Sequence, residues 1–396
     1  MTEKDHERAI SLLHSGEPTN LFPKIIFWLS AIFLSIALLL AIFWPATRAY
    51  LQAAAVLSQL NGQPVPKLLR PIAAEPITVQ QVTISSATGT VSARLYTPVN
   101  RSDAPGLVLV PGIHYLGVNE PRLVAFARSL AACGLRVLTP ELPDSRDYRI
   151  NSGDVPAIGD SVQWLQRTTN RPVGLIGLSF SGGLALMAAA KAPYSNQISA
   201  ILSVGAHDDL YRVAMFYVTG ADPLPNGDIV RETPNNYGPW ILEYEHLEDF
   251  TLRSDTEAIR PAFRARLYND SALEKKLIAQ LTLSQKAEYT KILDHPSWSL
   301  ALSNKKHAAE MAALSPHAHL AGLHAPVYLL HGRGDNLIPF AESNWLAQDL
   351  PSGVLQQRLV SPLIGHVTTN SKNANLWDRF RLIQILARVL QRVERA

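Results

Sequence analysis

The chain has 396 residues, 47% hydrophobic and 8% aromatic, which is ample for a buried core and excludes wholesale disorder. Its 36 basic and 33 acidic side chains leave a formal charge of +3 with no basic tract, so nucleic acid is not an expected partner. Cys133 is the single cysteine, which excludes an intramolecular disulfide and a cysteine-rich metal site.

Residues 1–24 read as a polar tail. The next stretch, "IIFWLSAIFLSIALLLAIFW" (25–44), carries no charge and only Ser30 and Ser35 as polar breaks. As a helix rising about 1.5 Å per residue it spans about 30 Å, the hydrocarbon thickness of a bilayer. Trp28 and Trp44 lie near its ends, where indoles favour the membrane–water boundary, and Pro45 is expected to end it. The segment reads as one transmembrane helix, with the membrane as partner. A cleaved signal peptide is the rival, with "AAA" at 53–55 imitating a cleavage site, although signal cores are shorter at about 7–15 residues. Lys4, Arg8 and Lys24 precede the span and only Arg48 follows it closely. That bias predicts a cytoplasmic N-terminus and an extracytoplasmic remainder, periplasmic or extracellular.

Residues 45–75 read as a linker, a short helix over 49–60 followed by a proline-rich extended connector. "ITVQQVTI" and "TVSARLYTP" flank the turn signal "SSATG" and predict an antiparallel hairpin. From Gly106 short apolar runs alternate with helical ones: "GLVLVPG", "LRVLTPEL", "VGLIGLS" and "ISAILSVGAH" are the strands. Buried strands alternating with amphipathic helices predict a mostly parallel sheet covered on both faces, an α/β architecture whose first half occupies 76–206. Residues 207–325 interrupt it with helical patterns, including "SALEKKLIAQL" and "SLALSNKKHAAEMAAL", and are expected to cap the strand ends. The sheet resumes at "PVYLLHGRGD" within a second half, 326–396, that closes with the helix "NLWDRFRLIQILARVLQRV".

The candidate chemistry lies at strand ends. Ser179 directly follows "VGLIG" and precedes a helix. Gly177 before it, and Gly182 and Gly183 after it, permit a tight turn that pushes a side chain out over the sheet. The N–H of Phe180, at the helix start, can then face a developing negative charge. Ser181 is the alternative nucleophile, but an elbow needs the first residue after the strand, and 181 reads better as a helix-start residue. Asp335 ends the next strand after the insert and can orient a histidine. His366, in "LIGHVTTN", stands between the last strand and the final helix and is the candidate general base. Asp208 and Asp209 are the runner-up acids. In "VLVPGIHYLG" the N–H of Ile113 is the second oxyanion candidate.

The order Ser179, Asp335, His366, the elbow and the "PGI" loop resemble the α/β-hydrolase superfamily, in its esterase, lipase and serine-peptidase branch. The resemblance covers about 76–206 and 326–396. It implies hydrolysis of an ester or related acyl bond through an acyl-serine, without a cofactor. An acyltransferase, a serine peptidase or a noncatalytic binding protein on the same fold are the alternatives. The motif reads G-x-S-x-S, with Ser181 where the family usually has glycine. His317, His319 and His324 lack a carboxylate or cysteine to complete a ligand set, so no metal is expected. His114 and the insert's aromatics, Tyr211, Phe216, Tyr217, Tyr237, Trp240 and Tyr244, are candidates to line a substrate pocket; packing within the insert is their alternative role.

Overall fold

A computed structural model of the chain describes residues 21–86, 89–295, 297–365 and 375–396. Met1–Arg48 and Ala49–Ala396 are separate compact units. The first helix, α1 (Leu21–Leu60), begins in one and ends in the other. Pro45 lies inside it rather than ending it. A proline removes one intrahelical bond, at a cost of about 3 kcal/mol, yet its fixed φ suits a helix. Burial of Ala49, Gln52, Ala53, Ala55 and Val56 holds the continuation in place. Among the described residues no helix is long and apolar enough to cross a membrane. Within 25–44, the side chains at 25, 36 and 39–41 lie outside the description.

The second unit therefore starts at Ala49, before the expected hydrolase boundary at 76. Gln52 Nε2 donates to the Cys133 carbonyl at 2.6 Å, and Ala53 and Ala55 are fully buried. The "AAA" stretch is thus core. The connector is not fully extended either, since α2 (Arg70–Ala73) makes a helical turn in it.

The hairpin forms as expected, β1 (Ile77–Ser86) antiparallel to β2 (Gly89–Pro98) with Ile77 opposite Pro98. There follow β3 (Gly106–Val110), α3 (Pro121–Ala132), β4 (Arg136–Pro140), α4 (Pro143–Arg146), α5 (Asp154–Thr169), β5 (Val173–Leu178), α6 (Phe180–Ala189) and β6 (Ile198–Val204). The insert holds α7 (Leu210–Thr219), a two-stranded ribbon of β7 (Ala221–Pro223) and β8 (Ile229–Arg231), and α8 (Tyr237–Glu245). It continues with α9 (Thr256–Leu267), α10 (Ser271–Gln280), α11 (Leu283–Leu293), α12 (Ser297–Lys306) and α13 (Ala308–Ala313). The single helix expected over "SLALSNKKHAAEMAAL" is broken at His307, whose ring is held by Asp249 and Glu310. The core closes with β9 (Val327–Gly332), α14 (Ala341–Asp349), β10 (Leu355–Ser361) and α15 (Leu376–Arg395).

The eight core strands lie in the order β1-β2-β4-β3-β5-β6-β9-β10. Pairing is parallel from β4 through β10 and antiparallel at β1–β2 and β2–β4. Side chains of a strand alternate between faces. In β3, Val108 and Val110 join one apolar cluster with α5 and α6, while Leu107 and Leu109 join another with α3, α15 and the end of α1. Both faces are covered, which explains why the strands read as continuous apolar runs. The insert has its own cluster, centred on Phe263, Ile259 and Tyr289.

Candidate active site

The joint between β5 and α6 brings strand and helix unusually close. A Cβ on Gly177 would lie 2.7 Å from the Gly182 Cα and 2.8 Å from Ala185 Cβ. One on Gly182 would meet Ser203 Oγ at 2.8 Å and Ala206 Cβ at 2.9 Å. The steric demand therefore falls on 177 and 182, and on Gly183, where a Cβ would lie 2.5 Å from the His207 ring, while position 181 holds a serine. Between them Ser179 has φ 55° and ψ −136°, a conformation rare for any residue but glycine. Its N–H donates to Val204 at 2.7 Å, which ties the turn to the end of β6. Ser179 is half-buried, lines a cavity, and does not cap its own helix. Ser181 is fully buried, its hydroxyl without a hydrogen-bond partner among the described residues.

The loop after β3 comes to the same point. A Cβ on Gly112 would lie 3.3 Å from Ser179 Cβ, so Ile113 follows a residue packed directly on the elbow. Phe180 is the first residue of α6, where an N–H has no intrahelical acceptor. His114 Nδ1 accepts from the Leu116 N–H at 3.2 Å, and burial lowers its pKa. It lines the cavity.

Asp335 is buried beyond the end of β9, on the cavity wall. Its Oδ1 accepts from the Leu337 and Ile338 N–H groups, each at 3.0 Å, and Oδ2 lies 3.7 Å from His331 Nε2. Two backbone donors fix the carboxylate's direction. His366 lies outside the described residues. The chain leading to it, Ile364 and Gly365, lines the cavity and packs on Gly332, where an added Cβ would lie 2.3 Å from the Ile364 carbonyl oxygen.

The runner-up acids are engaged elsewhere. Asp209 caps α7, accepting from Tyr211 at 2.8 Å and Arg212 at 3.3 Å. Asp208 pairs with Arg212 Nη2 at 3.0 Å. Arg212 also binds Glu342, whose Oε2 accepts the N–H groups of Asp208 and Asp209 at 2.8 and 2.9 Å. Buried Asp222 completes this group, 3.7 Å from Arg212. Burial, aided by Glu342, pushes Asp222 up to about 8; burial pushes Asp208 up to about 7. Glu342 is also pushed up by burial, but it accepts from two amides and a guanidinium, so the negative charge belongs there and the proton on Asp222.

The cavity in front of Ser179 has a volume of about 630 Å³ and is lined chiefly by aliphatic and aromatic side chains. The insert contributes Val213, Tyr217, Tyr237, Ile241 and Leu242; the core contributes Leu57, Leu60, Phe126, Leu382 and Leu386. Phe216 and Trp240, expected here, are not among its walls. Phe216 is fully buried one residue from the lining Tyr217, a helical step that turns it away. Trp240 packs against His295 and beneath the Arg266 guanidinium. Tyr211 and Tyr244 also belong to packing clusters rather than the cavity wall.

Two residues that sequence reasoning missed support the site. Fully buried Tyr148 has φ 60°, and its hydroxyl donates to the Leu267 carbonyl at 2.9 Å. The same oxygen accepts from Tyr237 at 2.7 Å and from the Tyr115 N–H at 3.4 Å, linking the insert to the loop after β3. Burial pushes its pKa up to about 12, so the phenol stays protonated. Fully buried His207 stacks on Phe180 with ring centroids 4.9 Å apart, behind the elbow. Burial lowers its pKa to about 4 and its Nε2 bonds the Leu314 carbonyl at 2.9 Å, so it is neutral and positional. His317, His319 and His324 form no ligand set among the described residues.

A parallel sheet wrapped by helices, with a strained serine on the strand–helix turn and a helical insert over it, defines the α/β-hydrolase class. Residues 107–364 match the family described as "Alpha/beta hydrolase family", and the chain belongs to it. No curated protein matches the chain in sequence. Among solved structures, it is similar to the esterase domain of a Rhodothermus marinus protein, at 14% identity and TM-score 0.42, covering 80% of this chain and 99% of that one. A Pyrobaculum calidifontis esterase aligns at 16% identity and TM-score 0.42, over 87% of this chain and 90% of that one. A Pyrococcus horikoshii acylaminoacyl peptidase aligns at 13% identity and TM-score 0.43, over 79% of this chain and 41% of that one. Likenesses this distant say nothing about what the chain acts on.

Proposed function

We propose that the chain is a membrane-anchored serine hydrolase that cleaves a carboxylic ester, or a related acyl bond, in a small-molecule or lipid-like substrate. The observation that carries this reading is Ser179, a strained, half-buried serine whose hydroxyl does not cap its helix and which lines a largely apolar cavity. In this reading Ser179 Oγ attacks the acyl carbonyl while His366 takes its proton and Asp335 holds the imidazole's tautomer. The N–H groups of Ile113 and Phe180 bind the oxyanion, an interaction worth about 2.7–4 kcal/mol per donor. Collapse expels the alcohol, protonated by His366. Water, deprotonated by the same imidazole, then attacks the acyl-serine and releases the acid. No cofactor takes part.

The anchor is supported by the uncharged run at 25–44 and by the exposure of Phe27, Phe33 and Leu34 on α1. Large apolar side chains exposed together mark a surface that meets a membrane or partner. The basic residues before the span support a cytoplasmic N-terminus and a catalytic unit on the other side. Two assays test the proposal. Turnover of p-nitrophenyl esters should rise with acyl length until the cavity is filled, and the chain should resist carbonate extraction with an active alkaline phosphatase fused after residue 60. Hydrolysis of no ester would refute the chemistry; release by carbonate would refute the anchor.

A further inference from the structure

Away from the cavity, two imidazoles and two carboxylates meet beyond the end of α8. His246 stacks on His307, with ring centroids 3.5 Å apart and planes 10° from parallel. Glu310, on α13, brings Oε2 to 3.2 Å from His307 Nδ1 and 4.0 Å from His246 Nε2. The opposite nitrogen of His307, Nε2, lies 2.9 Å from Asp249 Oδ2. Asp249 is itself held by Ser303 Oγ at 2.8 Å and by Lys306.

The bond to Asp249 assigns the His307 proton to Nε2 and leaves a lone pair on Nδ1. That lone pair faces a carboxylate oxygen, so the gap between them calls for a positive charge. A second ring proton would serve Glu310 alone and leave His246 as a bystander. A metal ion would use all three donors, which lie within 4.8 Å of one another. An imidazole whose far N–H donates to a carboxylate is also the usual support for a metal-binding histidine.

We propose that His246 Nε2, His307 Nδ1 and Glu310 Oε2 bind a divalent transition cation such as Zn²⁺, with water completing a four-coordinate shell. Zinc–nitrogen bonds of about 2.0–2.1 Å put neighbouring tetrahedral donors about 3.3 Å apart. The contact between His307 and Glu310 already has that spacing. His246 must turn about its Cβ–Cγ bond, because one ion cannot lie in the planes of two parallel rings. None of the three residues lines the cavity of Ser179, so the ion is structural. It ties the end of α8 to the α12–α13 junction and braces the insert.

The test uses the full chain in detergent, stripped with chelator, dialysed against dilute ZnCl₂ and assayed for bound metal by mass spectrometry. One zinc per chain is expected. Glu310 is exposed, so Glu310→Gln should leave the fold intact and lower the affinity at least tenfold. Asp249→Asn should lower it by about 10–100-fold through the lost support of His307. A doubly substituted His317→Asn, His319→Asn chain should bind as before, and thermal melting confirms that each variant is folded. Absence of bound zinc would overturn the proposal, as would undiminished affinity in both Glu310→Gln and His246→Ala.

Discussion

Ser179 is held at φ 55°, ψ −136° by a strand on one side and a helix on the other. Such a conformation costs roughly 1–3 kcal/mol and persists only where the surroundings over-determine it. The glycines that make the turn possible are legible in the sequence, and so is the aspartate after β9. What is not legible is the choice between Asp335 and Asp209, because both follow strand ends and both accept two backbone N–H groups; what distinguishes Asp335 is its place on the cavity wall. Asp335→Asn should lower turnover by about 10⁴-fold if it fixes the histidine tautomer. Asp209→Ala should lower stability by about 0.5–2 kcal/mol through its lost cap, with turnover nearly unchanged; the reverse pattern in steady-state kinetics would move the acid. The Arg212 group makes a prediction of another kind. Asp222 and Asp208 are pushed up from 3.8 to about 8 and about 7, so the folded chain keeps protons that the unfolded chain releases. Their contribution is complete below about pH 4 and is lost as pH rises toward 8. Melting temperature should fall between about pH 4 and 8, and Asp222→Asn should flatten that slope. A flat calorimetric profile in the unaltered chain would contradict this assignment.

At the scale of elements, the central strands β3, β4, β5, β6 and β9 could be read directly because both sheet faces are covered there and the strands are buried almost throughout. Three features escaped that reading for physical reasons. Pro45 breaks a local rule, and tertiary burial from Ala49 onward overrides it. The ribbon of β7 and β8 has three residues per strand, too few to show a period. In α7 and α8 the aromatic residues are plentiful, but which of them faces the substrate depends on helix rotation, about 100° per residue, set by distant packing. Phe216→Ala should therefore cost about 3–5 kcal/mol of stability and leave the preferred ester length unchanged. Val213→Trp, on the lining face, should shorten that preference. A shift in preference with Phe216→Ala, and none with Val213→Trp, would show that the cavity wall has been assigned to the wrong face.

At the scale of the whole molecule, the catalytic unit begins at Ala49, inside the helix that carries the apolar run. Leu57 and Leu60 of that helix line the cavity in front of Ser179, so the segment following the proposed anchor also forms part of that cavity's wall. The sequence suggested a linker there, because small residues such as Ala53 and Ala55 show no amphipathic stripe and their burial depends on a cluster built from distant parts of the chain, α3 and α15 among them. The proposed function assigns the chemistry to the serine at the elbow, and labelling with a fluorophosphonate probe tests that most directly. The unaltered chain and Ser181→Ala should label, while Ser179→Ala should neither label nor turn over ester despite an unchanged melt. Labelling that survives in Ser179→Ala and vanishes in Ser181→Ala would contradict the account.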